Sequence, residues 1–197
     1  MPTQEERRAA TTAAIRGAAR RLFADGGFAG ASIDDIATAA GVTKGGVYHH
    51  FATKEQLFEA VFRAVEDELY DAILDALPQT DRAVELLVAG TRRFIDCCLA
   101  PDVHQIVLVD GPGVLGWQLW REIDAAHFLP LVVASLAAEA PPHLDVTPTA
   151  HLLIGAIDEA VMVLAAAADP AAAAGPITDA LEVVLRSVCA ALADGHP

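Results

Sequence analysis

The chain has 197 residues, of which 54% are hydrophobic and 20% charged, with a formal net charge of −14 and three cysteines. That length can bury one sizeable core beside a smaller head. An odd cysteine count with Cys97 and Cys98 adjacent excludes a disulfide framework, and a polar, charged N-terminus with no long unbroken apolar run predicts a soluble, cytoplasmic chain without a secretory signal.

The first helix is predicted from Ile15, Ala18, Ala19, Leu22 and Phe23, which fall on one stripe, and it should end at Gly26-Gly27. Arg7, Arg8, Arg16, Arg20 and Arg21 lie on or just before it. A second, short helix follows, opened by Ser32 with Asp35 in the form of a capping box and carrying Ile33, Ile36 and Ala37. It should stop near Ala39 and turn at Gly41. Thr43 then caps a third helix held on the domain by Val47 and Phe51, with Lys44, Gly45, Gly46, Tyr48 and His49 on its other face. Two helices joined by a tight glycine turn predict a helix-turn-helix that enters a DNA groove. Adjacent glycines cost about 1 kcal/mol each against Ala in a helix. Close approach of the helix N-terminus to a phosphate or base edge offsets that cost, with a simple bend as the bland alternative. Thr53 followed by Gln56 caps the next helix, which places Lys54 in a first turn where it would grip one phosphate.

The stretch AAIRGAARRLFADGGFAGASIDDIATAAGVTKGGVYHHFATKEQLFEAVF resembles the N-terminal DNA-binding domain of TetR/AcrR-family transcriptional regulators. The resemblance implies an all-α protein: a three-helix DNA-binding head with the helix-turn-helix over residues 1–53, and a C-terminal helical bundle for ligand binding and dimerisation over 54–197. It further implies a homodimer on a double-stranded, pseudo-palindromic operator, repressing until a small-molecule inducer enters the C-terminal domain. By the same resemblance Lys44, Gly45, Gly46 and His49 face bases, while Ser32, Thr43, Tyr48, His50 and Lys54 mostly hold phosphates. Gly46 stands where the family usually has Thr or Ser, which shifts base readout toward Lys44 and His49. Charge agrees once it is divided by region. Residues 1–65 hold eight Lys/Arg and seven Asp/Glu, whereas residues 66–197 hold five and twenty, so the acidic half would be repelled by a duplex that the head approaches.

Beyond residue 53 the periodicity is helical throughout. Helices are predicted at about 54–77, 80–99, 102–109, 113–139, 147–168 and 176–194, with Pro130 kinking or splitting the fourth of these. The first begins in the head and would couple it to the body. In the last two, Leu153, Ile157, Val161, Ile177, Leu181, Val184 and Val188 are the expected dimer interface, two helices from each subunit forming a four-helix contact.

The ligand pocket is expected around Phe94, Cys98, Trp117, Trp120 and Phe128, with His104, His127, His151 and Asp158 as polar anchors. The segment DGPGVLGWQLWREID, residues 110–124, is the most unusual part of this half. Motifs for enzyme chemistry are missing: there is no HExxH, CxxC, GxSxG or phosphate loop after a strand, so neither catalysis nor a cofactor is expected. An alternative keeps the DNA head and uses Cys97, Cys98 and His104 as a metal or redox sensor.

Overall fold

The computed structural model describes residues 3–193, and among these every regular element is helical. The helices are α1 (Gln4–Gly30), α2 (Ile33–Ala40), α3 (Lys44–His50), α4 (Lys54–Ala76) and α5 (Ala83–Cys98). A short α6 (Pro101–Val103) runs into a π-helical stretch (His104–Asp110) and α7 (Gly111–Leu115), followed by α8 (Trp117–Glu139), α9 (Thr147–Ala166) and α10 (Pro170–Ala193). The all-α fold anticipated from the periodicity is the fold observed.

The chain forms two compact units that do not divide at residue 53. One contains the chain up to Val65 together with Pro101–Trp120, and the other contains Glu66–Ala100 with the chain from Arg121 onward. In the first unit Phe23, Phe28 and Phe58 pack with ring centroids 5.2 to 5.8 Å apart, over a core that includes Ile15, Ile36, Val47, Leu57 and Phe62. The stop expected for the first helix at Gly26-Gly27 is present as a break inside α1. The helix is broken there by Gly27, at φ 69° and ψ 171°, and continues to Gly30. Asp110 holds the break, its Oδ2 accepting from the Phe28 N–H at 2.7 Å and from Gln105 Nε2 at 3.1 Å.

The 101–120 segment is thus structural in the head unit. Arg20 donates twice to Asp102 Oδ2, at 2.8 and 3.1 Å, and the buried indole of Trp120 donates to the Val107 carbonyl at 2.9 Å. Gly111 is required sterically: a Cβ there would lie 2.9 Å from both the Phe62 and Trp120 rings and 3.1 Å from the Ile106 carbonyl.

In the second unit Val84, Leu87 and Val88 of α5 share a core with Leu136 of α8, Leu153 and Ile154 of α9, and Leu185 and Leu192 of α10. Arg186 joins Glu182 on its own helix to Glu85 on α5, and Arg92 reaches Glu182 from α5. These pairs are substantially exposed, so they set register between α5 and α10 more than they stabilise it. Pro130 does not split α8, which runs continuously from Trp117. α9 is long and apolar enough to cross a membrane by length and composition, the one such helix among the described residues. It carries Asp158 and Glu159 in its middle and turns Leu153, Ile154 and Val161 into the protein, as a core helix does.

Candidate functional site

The helix-turn-helix is built by local chemistry. Ser32 caps α2 by accepting from the Asp35 N–H at 3.1 Å, and Gly41 ends that helix in the left-handed region at φ 70°. Its N–H and that of Val42 return to the Thr38 and Ala37 carbonyls, satisfying the last turn of α2. Thr43 caps α3 by accepting from the Gly46 N–H at 3.0 Å. Val47 is fully buried and anchors α3, while Lys44, Gly45, Tyr48 and His49 are exposed on its outer side.

Neither glycine of α3 is demanded by the interior. A Cβ on Gly45 would meet nothing nearer than 3.9 Å, and one on Gly46 would make ordinary contacts at 3.4 and 3.5 Å with Thr43 and Val42. Lys44 forms an exposed ion pair with Asp34 at 2.9 Å, which raises the lysine's pKa and would have to open for another anion to bind. His50 is not a free donor group: its Nδ1 lies 2.9 Å from Thr12 Oγ1, and burial, helped by His49 and Arg8, lowers its pKa and disfavours the charged form.

Lys54 is engaged within the head itself. Its ammonium donates to the carbonyls of Phe28 at 2.8 Å and Ala31 at 3.0 Å and sits 4.1 Å from the Phe28 ring centroid. It closes the C-terminal end of α1.

The second unit contains a cavity of about 420 Å³. Of the residues expected to line it, Phe94, Phe128 and Asp158 do so; the wall is completed chiefly by Leu87, Leu131 and Ile154, and Asp81 and Asp124 join Asp158 as its acidic part. Cys98 is buried outside the lining, where loss of solvent pushes its thiol pKa well up. Trp117 and Trp120 stack on each other at 5.1 Å, but both belong to the head unit, Trp120 in its core and Trp117 exposed. His104 is in the head unit, His151 is exposed, and His127 pairs through Nε2 with Asp67 at 2.9 Å; none lines the cavity.

Three carboxyls are buried in this unit: Glu66, Asp124 and Asp158. Neither oxygen of Glu66 has a hydrogen-bond partner, and Asp158 Oδ2 has none either, although Arg121 Nε stands 3.3 Å from it. Burial, reinforced by the charges of Asp124 and Asp158, raises the Glu66 pKa well above the carboxylate range. Asp124 is pushed up to about 8 by burial and by Asp158. Asp158 rises to about 6 through burial, opposed by Arg121.

Of the expected interface residues, Leu153, Val161 and Leu181 are buried in their own chain and cannot offer surface to a partner; Ile157 lines the cavity. Ile177 and Val188 are half-buried and Val184 is exposed. The apolar side chains that α9 and α10 leave in solvent are Leu152, Val163, Val183 and Val184. Leu152 and Val163 are eleven positions apart and therefore share one face of α9. For the metal or redox alternative, Cys97 and Cys98 lie in the second unit and His104 in the first, and no group of three His, Cys, Asp or Glu side chains able to hold a metal ion occurs among the described residues.

The family profile described as "Bacterial regulatory proteins, tetR family" matches residues 15–61, and that described as "Tetracyclin repressor-like, C-terminal domain" matches residues 84–188. The chain belongs to the TetR family of bacterial regulatory proteins. It is 28% identical over 124 residues to the Transposon Tn10 TetC protein of Escherichia coli, covering 63% of this chain and 62% of that one. It is 45% identical over 60 residues to the HTH-type transcriptional repressor KstR2 of Mycolicibacterium smegmatis, covering 29% of each. These matches span less than two thirds of the relatives' own length. A TetR-family transcriptional regulator from Pectobacterium atrosepticum superposes with a TM-score of 0.80 at 26% identity, covering 95% of this chain and 97% of that one.

Proposed function

We propose that the chain is a ligand-responsive transcription regulator of the cytoplasm, acting as a homodimer on a pseudo-palindromic operator and released when a small apolar or amphipathic molecule enters the cavity of the second unit. The observation that carries the DNA half of this reading is the outer side of α3. Gly45 and Gly46 weaken the helix and serve no internal contact, while Lys44, Tyr48 and His49 stand exposed beside them. Such a surface suits backbone approach to the duplex with side-chain donors at base edges and phosphates. A lone three-helix head reads one half-site, and two heads are needed for a palindrome.

The relatives support the same role: several are named transcriptional repressors or regulators, and one, the FasR protein of Mycolicibacterium smegmatis, is named an activator. Repression is the sign we assign here. The test is fluorescence anisotropy with the intergenic DNA beside the protein's own gene. Binding should fall steeply with salt, and His49→Ala should relax preference at one or two base positions. Equal affinity for operator and scrambled DNA at all salt concentrations would defeat the reading.

A further inference from the structure

The cavity is apolar over most of its wall but includes Asp124, 4% exposed, and Asp158, 3% exposed, with Thr91 of α5 also in the lining. Asp158 is one of the lining residues, and its Oδ2 has no hydrogen bond although Arg121 Nε stands 3.3 Å away; Glu66, fully buried with both oxygens unpartnered, feels the charges of the same two aspartates. Charged and titratable groups come from each element around them: Glu66 and Asp67 from α4, Asp81 from the connection before α5, Cys98 from α5, Arg121, Asp124 and His127 from α8, and Asp158 from α9. Asp67 is engaged by His127. Three carboxyls are thus buried close together, and Arg121 offsets charge only at Asp124 and Asp158, a balance that burial penalises heavily.

We propose that this cavity takes an amphipathic organic cation, its ammonium head against Asp124 and Asp158 and its hydrocarbon body along Leu87, Phe94, Phe128 and Ile154. The proposal rests on the reading of the cavity as the effector site and names the class of effector. A primary ammonium brings three N–H donors and one positive charge, so it supplies hydrogen bonds that the Asp158 carboxyl lacks and favours the ionised form of its neighbours. An alkanoate would add a fourth carboxyl to the three already there. An alkanol supplies one donor and no charge. A bare metal ion lacks a ligand set among the described residues.

Binding has a proton balance that can be followed. Burial and mutual repulsion keep Asp124 protonated to about pH 8, so an ammonium group seated beside it expels that proton to solvent while remaining charged itself.

The experiment compares decylamine, decanol and decanoate on the full-length protein by thermal shift and by release of operator DNA. Decylamine should raise Tm and release the operator at lower concentration than the other two, and its affinity should tighten by roughly threefold or more between pH 6 and pH 8. Asp158→Asn and Asp124→Asn, each shown to be folded by its own melting curve, should lose most of the decylamine shift. If decanol or decanoate matches decylamine, or if the Asn variants respond like wild type, the cation assignment is overturned while the cavity stands as an effector site. If none of the three compounds shifts Tm, the cation assignment is again overturned, and operator binding by the unliganded protein shows separately whether the regulator reading survives.

Discussion

The Lys54 ammonium donates to the Phe28 carbonyl at 2.8 Å, across 26 positions of chain, and this contact ties the first turn of α4 to the C-terminal end of α1. A second bond to the Ala31 carbonyl and the Phe28 ring beneath the charge leave the lysine facing inward on the head. Lys54→Ala removes a charged donor from two carbonyls, a loss of about 1 to 3 kcal/mol. In a chain of this size that lowers Tm by roughly 2 to 4 °C per kcal/mol. Differential scanning calorimetry should show this drop, and the salt slope of operator binding should stay at its wild-type value. A normal Tm with a slope reduced by about one unit would instead return Lys54 to the phosphate-contacting set.

Gly45 separates structure from function cleanly, because a methyl group there meets nothing closer than 3.9 Å within the chain. Gly45→Ala should therefore stabilise the helix by up to about 1 kcal/mol. On DNA the same methyl would stand between the helix N-terminus and the duplex, so operator affinity should fall by roughly tenfold or more even as Tm rises. Affinity that rises or holds along with Tm would mean the glycines only shape the turn.

Association can be assigned to one face by pairing neighbours on α9. Leu152 is 75% exposed while Leu153 is buried in the core. Wild type should sediment as a dimer, and Leu152→Glu, or Val183→Glu on α10, should shift it toward monomer with little change in the melting of the monomer itself. Leu153→Ala should do the reverse, costing about 2 to 5 kcal/mol of stability without a specific effect on assembly. A monomeric wild type at micromolar concentration, or a dimer indifferent to both glutamates, would place the contact elsewhere.

What the sequence disclosed follows the range of the interactions involved. Ser32, Gly41 and Thr43 act within four positions of themselves, so caps and turn of the helix-turn-helix were legible from residue type and spacing. Lys54 was read as a phosphate ligand because its partners lie 23 and 26 positions away. Trp117 and Trp120 stand out as unusual, yet the role of Trp120 depends on Val107 and Gly111 in the head and nothing local says so. Periodicity marks α9 and α10 as widely apolar without saying which apolar edge is inward, so it does not separate buried Leu153 from exposed Leu152. Asp158 is legible as a polar anchor on an apolar helix; Glu66 and Asp124 are not, because acids are ordinary in the helices that carry them until packing closes over them.

The buried acids impose a pH dependence on stability whose direction is set by Asp124. Its folded pKa is about 8 against an ordinary 3.8, so between those values the folded chain holds a proton that the unfolded chain has released. Stability contributed by that proton is complete below about pH 4 and is lost progressively as pH rises toward 8. Asp158, raised to about 6, acts in the same direction over a narrower window, and Glu66 shares the upward shift. Asparagine at position 124 keeps the shape and a donor for Asp158 but cannot ionise. Asp124→Asn should therefore melt above wild type at pH 8, by roughly 3 °C or more, with the difference shrinking steadily as pH is lowered to 5. Tm measured for both proteins across that range decides it: parallel curves would show that Asp124 ionises normally in the folded chain.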